Sequence, residues 1–463
     1  MVCYVRRVVC RRLTLALVVV AIAGCGPATT ASPVSTPMAT PSAELAPASP
    51  ADGQAVVLVG RIVTMDEPPV AEAILIDHGK VTAVGTREDV LARAGDQVQI
   101  LELGNNVAYP GFIDAHAHWI GDREYYDIDT PEAAIDAAVR RGWTSISEQW
   151  VNPERIDELS RLAADGALPL RVDAYLALNY DREFLGDWYT SREPGPVDGH
   201  LRAEGLKIHL DDGLGRAINW DPADLTSAIG RAADAGWQVS VHAMSSAAME
   251  LALDAFEASL GPTGPNPLHH RVEHAMQVTD EQLARLVAMD IAIVTHFEGA
   301  NEWLLDDRVV AEFDRTDPGE QLPLLNRWRD FVEAGLHVAA ATDAPWTFEE
   351  HELLDAMGRP VDQIAAGMDG RVRTSPDRPA WGVDQLLTAE QGLGAVTVDA
   401  AWAIGDEARR GHLAPGTMGD VTILRGDIAT STPDEIRALE VVATIVAGNV
   451  VYCSDAAVCG EPY

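Results

Sequence analysis

Between about residue 130 and residue 343, short β-branched runs alternate with stretches whose apolar positions recur at helical spacing. The strand-like runs cover 144–148, 171–176, 206–210, 238–242, 270–274, 291–296 and 337–343, and 111–118 in front makes eight. Between them, 222–235, 247–260 and 280–289 keep apolar residues on one helical face. Several of these open on Asp or Thr followed by Pro or Glu, as helix starts do. Eight strand–helix units in succession predict an α/β fold of the (β/α)8 barrel type, set at 109–411. The flanks have a different period. Segments 56–64, 73–77 and 81–84 alternate apolar and polar residues, as do 420–424 and 441–451, with Ala447-Gly448-Asn449 as a tight turn. The two flanks, 54–108 and 412–453, are expected to pair into one small β-sandwich, leaving 454–463 as a tail.

The first 53 residues stand apart from this pattern. Arg6, Arg7, Arg11 and Arg12 precede an apolar run from Leu13 to Ala23, too short to span a bilayer comfortably, so 1–24 reads as a signal peptide. Ile22-Ala23-Gly24-Cys25 resembles the lipobox of bacterial lipoproteins. That resemblance implies lipid on Cys25 and an exported protein held at the cell envelope, on a membrane surface facing the periplasm or exterior. Residues 25–53 are mostly Pro, Ala, Ser and Thr and read as a flexible tether. Two other cysteines, Cys453 and Cys459, lie close together near the C-terminus. An oxidising compartment could pair them, and two unpaired thiols are the alternative.

Composition narrows the partners. Apolar residues make up 47% of 463, ample for a large core. Loss of the signal removes four Arg and no acid, leaving 30 basic against 71 acidic residues, or −41. Such a surface repels nucleic acid and anionic headgroups, so the expected partners are a small-molecule substrate and a membrane reached through the N-terminal lipid. Homodimerisation stays open.

A parallel barrel gathers its reactive groups where the strands end. The first strand ends in His116-Ala117-His118, two imidazoles on one side of the strand. The fourth ends in Lys207-Ile208-His209, the fifth in His242, the sixth in His274 and the eighth in Asp343. A lone His is commonly a packed or surface residue, but only 13 His occur in the chain, and His116, His118, His242 and His274 meet at these ends. Imidazole and carboxylate donors suit zinc or a similar divalent ion. Lys207 stands out differently: of 34 basic residues 32 are Arg, and Lys80 and Lys207 are the two lysines. An amine kept where this chain otherwise uses guanidinium points to amine chemistry, such as reaction with a carbonyl or with carbon dioxide.

Tyr109-Pro110-Gly111-Phe112-Ile113-Asp114-Ala115-His116-Ala117-His118 resembles the first-strand signature of the amidohydrolase superfamily. Further stretches resemble its amidohydrolase-3 branch, the YtcJ-like and N-substituted formamide deformylase-like proteins. They are Lys207 to Gly215, His270-Arg271-Val272-Glu273-His274-Ala275-Met276-Gln277, Thr342-Asp343-Ala344-Pro345, and Gly411 to Gly416 with Gly419-Asp420. The resemblance implies one or two divalent ions, zinc foremost. His116, His118 and Asp343 would hold the more buried one, His242 and His274 the second, and a carbamylated Lys207 would bridge them. It also implies that Asp343 takes a proton from the attacking water. A bound divalent ion lowers the pKa of its water toward ~7, so hydroxide exists at neutral pH.

Two departures from the branch concern the substrate. Asp212-Gly213-Leu214-Gly215-Arg216 replaces the usual continuation of the fourth strand, and Thr295-His296-Phe297 ends the seventh. His209, His296, Trp119 and Trp346 are therefore expected to line the substrate site. Trp150, Tyr180, Trp220 and Trp303 would extend an aromatic rim. The expected reaction is metal-dependent hydrolysis of a C–N bond in an amide, formamide or cyclic amide. The same site could serve an ester, lactone or carbamate, and a solute-binding lipoprotein without turnover is the reading from another class.

Overall fold

The computed structural model describes residues 55–460 apart from 96–97, 127, 181, 213–216, 299–323, 345–357 and 371–382. The signal segment, Cys25, the tether, Trp303, Trp346 and the stretch 213–216 lie outside the described residues. Four strands come first: β1 (Val56–Val63), β2 (Val70–Asp77), β3 (Lys80–Gly85) and β4 (Gln99–Pro110). Of these β4 is absent from the sequence-based expectation. Its inner half alternates buried Leu101 and Leu103 with exposed Glu102 before Gly104, at φ 60°, interrupts the pattern.

The barrel follows. Its strands are β5 (Phe112–Ala117), β6 (Trp143–Val151), β7 (Arg171–Ala177), β8 (Leu201–His209), β9 (Gln238–Ala243), β10 (Arg271–His274), β11 (Ala292–Thr295) and β12 (Val338–Ala340). They lie side by side in chain order and run parallel. Beyond the regular ladder the first and last strands meet: His118 N–H donates to Ala344 O at 2.8 Å and Asp343 N–H to His116 O at 2.9 Å. These two bonds bring the exits of β5 and β12 together, where His116, His118 and Asp343 sit. Small residues allow the approach, since Ala115, Ala339 and Ala341 pack with Ala400, Ala401 and Ala403 of the helix Val398–Ala403.

The crossover helices form as the chain pattern expects. Asp221, Ser245 and Thr279 each accept a backbone N–H at the first turn of Pro222–Asp234, Ser246–Leu260 and Asp280–Met289. Leu225, Ile229, Leu253, Phe256 and Leu286 turn inward onto the strands. After the barrel, β13 (Val421–Leu424), β14 (Val441–Val446) and β15 (Asn449–Cys453) join β1–β4 in a seven-stranded sheet of order β15-β14-β13-β4-β1-β2-β3. Both flanks thus contribute to one flanking sheet. Leu58, Ile74, Ile76, Val421 and Ile445 pack on one of its faces, while Val57, Val59, Ala73 and Leu75 pack on the other with Val90 of the helix Arg87–Ala94. Ala447 and Gly448, at φ 50° and 78°, make the tight turn between β14 and β15. Cys453 and Cys459 are joined by a disulfide.

Buried charges fasten the sheet to the foot of the barrel. Asp420, just before β13, takes Nε and Nη2 of Arg171 at 2.6 and 2.9 Å and also accepts Ala447 N–H. Arg410 binds both oxygens of Asp173 at 2.9 Å and also reaches Asp406. The Gly419-Asp420 stretch is therefore a structural clasp. Gly111 is needed for the same join, because a Cβ there would run into the Thr144 side chain.

Candidate metal centre

The alternation of β5 points His116 and His118 into the barrel mouth, where they are 1% and 2% exposed with ring centroids 5.4 Å apart. Asp343 follows β12 in a left-handed conformation, φ 51°. A non-glycine residue held there costs about 1–3 kcal/mol, a strain that recurs at functional sites. The result is a convergent triad: Asp343 Oδ1 stands 3.3 Å from His116 Nε2 and 3.3 Å from His118 Nε2. Ligand bonds of ~2.0–2.1 Å at tetrahedral angles set the donors of one zinc ion roughly 3.3–3.4 Å apart. Both distances to Asp343 Oδ1 have that spacing and the three donors lie within 4.8 Å of one another, so they fit a divalent ion.

The far side of each ring is also engaged. His116 Nδ1 lies 2.6 Å from Glu273 Oε2, and His118 Nδ1 lies 3.3 Å from Asp122 Oδ2. At His116 the carboxylate accepts Nδ1–H, which fixes the ring proton there and leaves Nε2 as a lone pair, whereas Asp122 stands at ion-pair distance from His118. Glu273 is itself wholly buried, held by Arg271 at 2.7 Å and Ser240 Oγ at 2.6 Å. Burial alone would raise its carboxyl, but Arg271 and His116 outweigh that and keep it ionised well below the usual range. Arg271 in turn reaches Ala115 O and Ala403 O and lies 4.2 Å over the Tyr175 ring. Glu148, within β6, accepts Ile120 N–H and Gly121 N–H and so anchors the loop that follows His118. Burial raises its carboxyl to about 7.

A second group overlaps the first. His116, His274 and His296 each offer a nitrogen within 4.8 Å of the others. His274, at φ 71°, ends β10, and His296 follows β11 with Nε2 2.8 Å from His274 Nδ1 and 3.9 Å from Asp343 Oδ2. Burial lowers the His116 and His274 imidazoles, and His296 to about 4, which keeps all three neutral and able to donate.

Two residues expected among the ligands sit differently. His242 Nε2 stands 3.3 Å from Asp211 Oδ1, and its ring lies between His209 and His274, at centroid distances of 4.2 and 4.3 Å. Asp211 is buried and accepts Met244 and Ser245 N–H, which fixes the carboxylate beside that ring, although His242 Nε2 makes no hydrogen bond to it. Lys207 is 1% exposed, and its Nζ makes no hydrogen bond among the described residues. Burial brings its amine down to about 8, against the opposing pull of Glu273 and Asp343.

Of the expected substrate contacts, His209 is buried with Nδ1 3.1 Å from Asn219 Nδ2, behind Trp150 at 5.1 Å. Trp119 is wholly buried and its indole N–H donates to Asp114 at 3.0 Å, which braces β5. Trp150 does stand at the site, 5.3 Å from His118 and 5.8 Å from Tyr180, while Trp220 packs on Phe184 at 5.4 Å. Sequence reasoning passed over Glu273, Arg271 and Asp122. A clue for the first two was available: charged residues inside an otherwise buried strand, Arg271–His274, need partners.

A family model described as the amidohydrolase family matches residues 126–452. The chain belongs to that family. It is 25% identical over 350 residues to the YtcJ protein of Bacillus subtilis, covering 72% of this chain and 57% of the relative. It is 27% identical over 261 residues to the N-substituted formamide deformylase of Arthrobacter pascens, covering 56% of this chain and 43% of the relative. The chain therefore spans about half the length of these curated relatives. Among solved structures, an uncharacterized metal-dependent hydrolase from Pyrococcus horikoshii superposes with a TM-score of 0.66 at 18% identity, covering 82% of this chain and 99% of the other. The atrazine chlorohydrolase TrzN of Arthrobacter aurescens, solved with zinc, gives 0.59 at 17% identity, covering 85% and 94%. At such identities the likeness is one of fold.

Proposed function

We propose that this amidohydrolase-family protein is a metal-dependent hydrolase that cleaves the C–N bond of an amide, formamide or cyclic amide. The observation that carries this reading is the 3.3 Å convergence of His116 Nε2, His118 Nε2 and Asp343 Oδ1, each imidazole backed by a carboxylate. A divalent ion, zinc in the first instance, would supply Lewis acidity toward a carbonyl and acidify water. The residues do the rest. Glu273 holds the His116 ring with Nε2 forward, and Asp122 lies near the far side of His118. Asp343 keeps its second oxygen, Oδ2, to take a proton from the attacking water and return it to the leaving nitrogen. Burial shuts bulk water out and strengthens each of these interactions. Lys207, buried with a depressed amine, has the character needed to add carbon dioxide with loss of a proton, and the carbamate so formed would add a carboxylate beside the centre.

The formamide deformylase among the relatives favours the amide over the ester. Metal content and turnover test the reading together. The purified protein is expected to hold a transition metal after growth with zinc and to hydrolyse formamides or N-acyl amino acids faster than lactones and aryl esters. Protein devoid of metal would refute it, and activity confined to esters would move it to the alternative bond. Export and lipidation at Cys25 belong to the same proposal, and Cys25→Ser should shift the protein out of the membrane fraction.

A further inference from the structure

The geometry points to His296 as a metal ligand of this chain, completing with His274 the donor set begun by His116, His118 and Asp343. This inference rests on the metal-dependent reading above and names a ligand beyond that triad. Its first support is the tautomer. His296 Nδ1 lies 3.1 Å from the carbonyl oxygen of Ala341, an acceptor only, so the ring proton of neutral His296 sits on Nδ1. Nε2 is left as a lone pair. That is the state a metal-binding imidazole needs, and a backbone carbonyl is a usual means of fixing it.

Position is the second support. His296 is 5% exposed and its Nε2 is directed at the cluster, 2.8 Å from His274 Nδ1 and 3.9 Å from Asp343 Oδ2, with its ring 5.4 Å from that of His116. The two candidate groups share His116. Five donors from the ends of β5, β10, β11 and β12 therefore form one continuous set. The 2.8 Å contact is a hydrogen bond from His274 Nδ1–H into the lone pair of His296. For both nitrogens to bind an ion, neutral His274 moves its proton from Nδ1 to its own Nε2, which takes no proton from solvent.

His242, the residue that the sequence alone would choose, lacks this placement. Its Nε2 stands 3.3 Å from Asp211 Oδ1 without a hydrogen bond, and it belongs to neither donor group found among the described residues. A substrate contact is the other role for His296. That role would require a substrate atom to enter where His274 already takes the lone pair, in a pocket closed by Asp343 and His116.

Titration of the metal-stripped full-length protein with Zn2+, in competition with a chromophoric chelator, distinguishes the two roles. Outer-shell partners typically change metal affinity about 10–100-fold. His296→Leu is expected to weaken Zn2+ binding beyond that range, and His296→Glu, which restores an oxygen donor, to recover part of it. If His296→Leu binds Zn2+ within about threefold of the unaltered protein and only KM rises, the residue is a substrate contact and the inference fails. Should the leucine variant not fold, zinc-edge X-ray absorption of the unaltered protein decides by counting imidazoles. More than the two from His116 and His118 supports the assignment only if the count falls in His296→Glu, and two overturns it. If the unaltered protein takes up no Zn2+ at all, the proposed function fails first and by a different result.

Discussion

Glu273→Gln is the most informative perturbation, because one carboxylate serves both the barrel interior and the candidate centre. The change keeps the shape and removes the charge. Arg271 then loses its 2.7 Å partner while remaining fully buried. Removing one member of a buried pair costs about 3–5 kcal/mol. Arg271 retains Ala115 O at 2.9 Å, Ala403 O at 3.2 Å and the Tyr175 face, so the lower end of that range, about 3 kcal/mol, is expected. The second effect is on His116. A neutral amide holds Nδ1–H less firmly than a carboxylate at 2.6 Å, and zinc affinity should fall about 10–100-fold, equivalent to roughly 1.4–2.7 kcal/mol. Urea unfolding of the metal-free variant reads the first effect, and chelator competition reads the second. A variant as stable as the parent within about 0.5 kcal/mol, the level of an ordinary surface change, would refute the account of Arg271. Unchanged zinc affinity would refute the account of His116.

Lys207→Arg keeps a positive charge but cannot form a carbamate; it should lose one metal equivalent and most activity, and an unchanged two-metal stoichiometry would exclude the bridging role. Asp173→Asn tests the clasp at the foot of the barrel. Burial would raise the Asp173 carboxyl, but Arg410 and Arg202 outweigh it and lower it, so its stabilisation is complete above the unfolded value of about 3.9 and is lost as pH falls through the lower folded value. The variant should be about 3 kcal/mol less stable at pH 7 and approach the parent in strong acid, and a gap constant with pH would count against the ion pair. Trp119→Phe should cost about 1–3 kcal/mol by leaving Asp114 short of a donor, with KM unchanged; a raised KM at wild-type stability would place Trp119 at the substrate site.

Periodicity is a local property, and what depends on it was legible in the chain. Eight short β-branched runs separated by helical stretches specify a parallel barrel, since each run must bury both faces and each crossover must pack outside. Strand ends in such a barrel face one mouth, so the convergence of His116, His118, His274 and Asp343 follows from their positions alone. The strand β4 escaped because Gly104 and the polar Asn105-Asn106 break its alternation; it is held by β1 and β13 on either side.

The partners of each ring were decided only in three dimensions. His242 and His296 are alike in sequence, each at the end of a strand. They part company because the loop after β8 brings Asp211 to His242, whereas the turn after β12 brings Ala341 O to His296. Trp119 follows the metal-binding motif directly, and its indole N–H meets Asp114. Strand pattern settles which way a residue faces, whereas the atom it meets there depends on register, closure and the loops of distant segments. That is why the chain alone indicated a metal-binding mouth, and the tertiary structure decided which carboxylates hold its imidazoles.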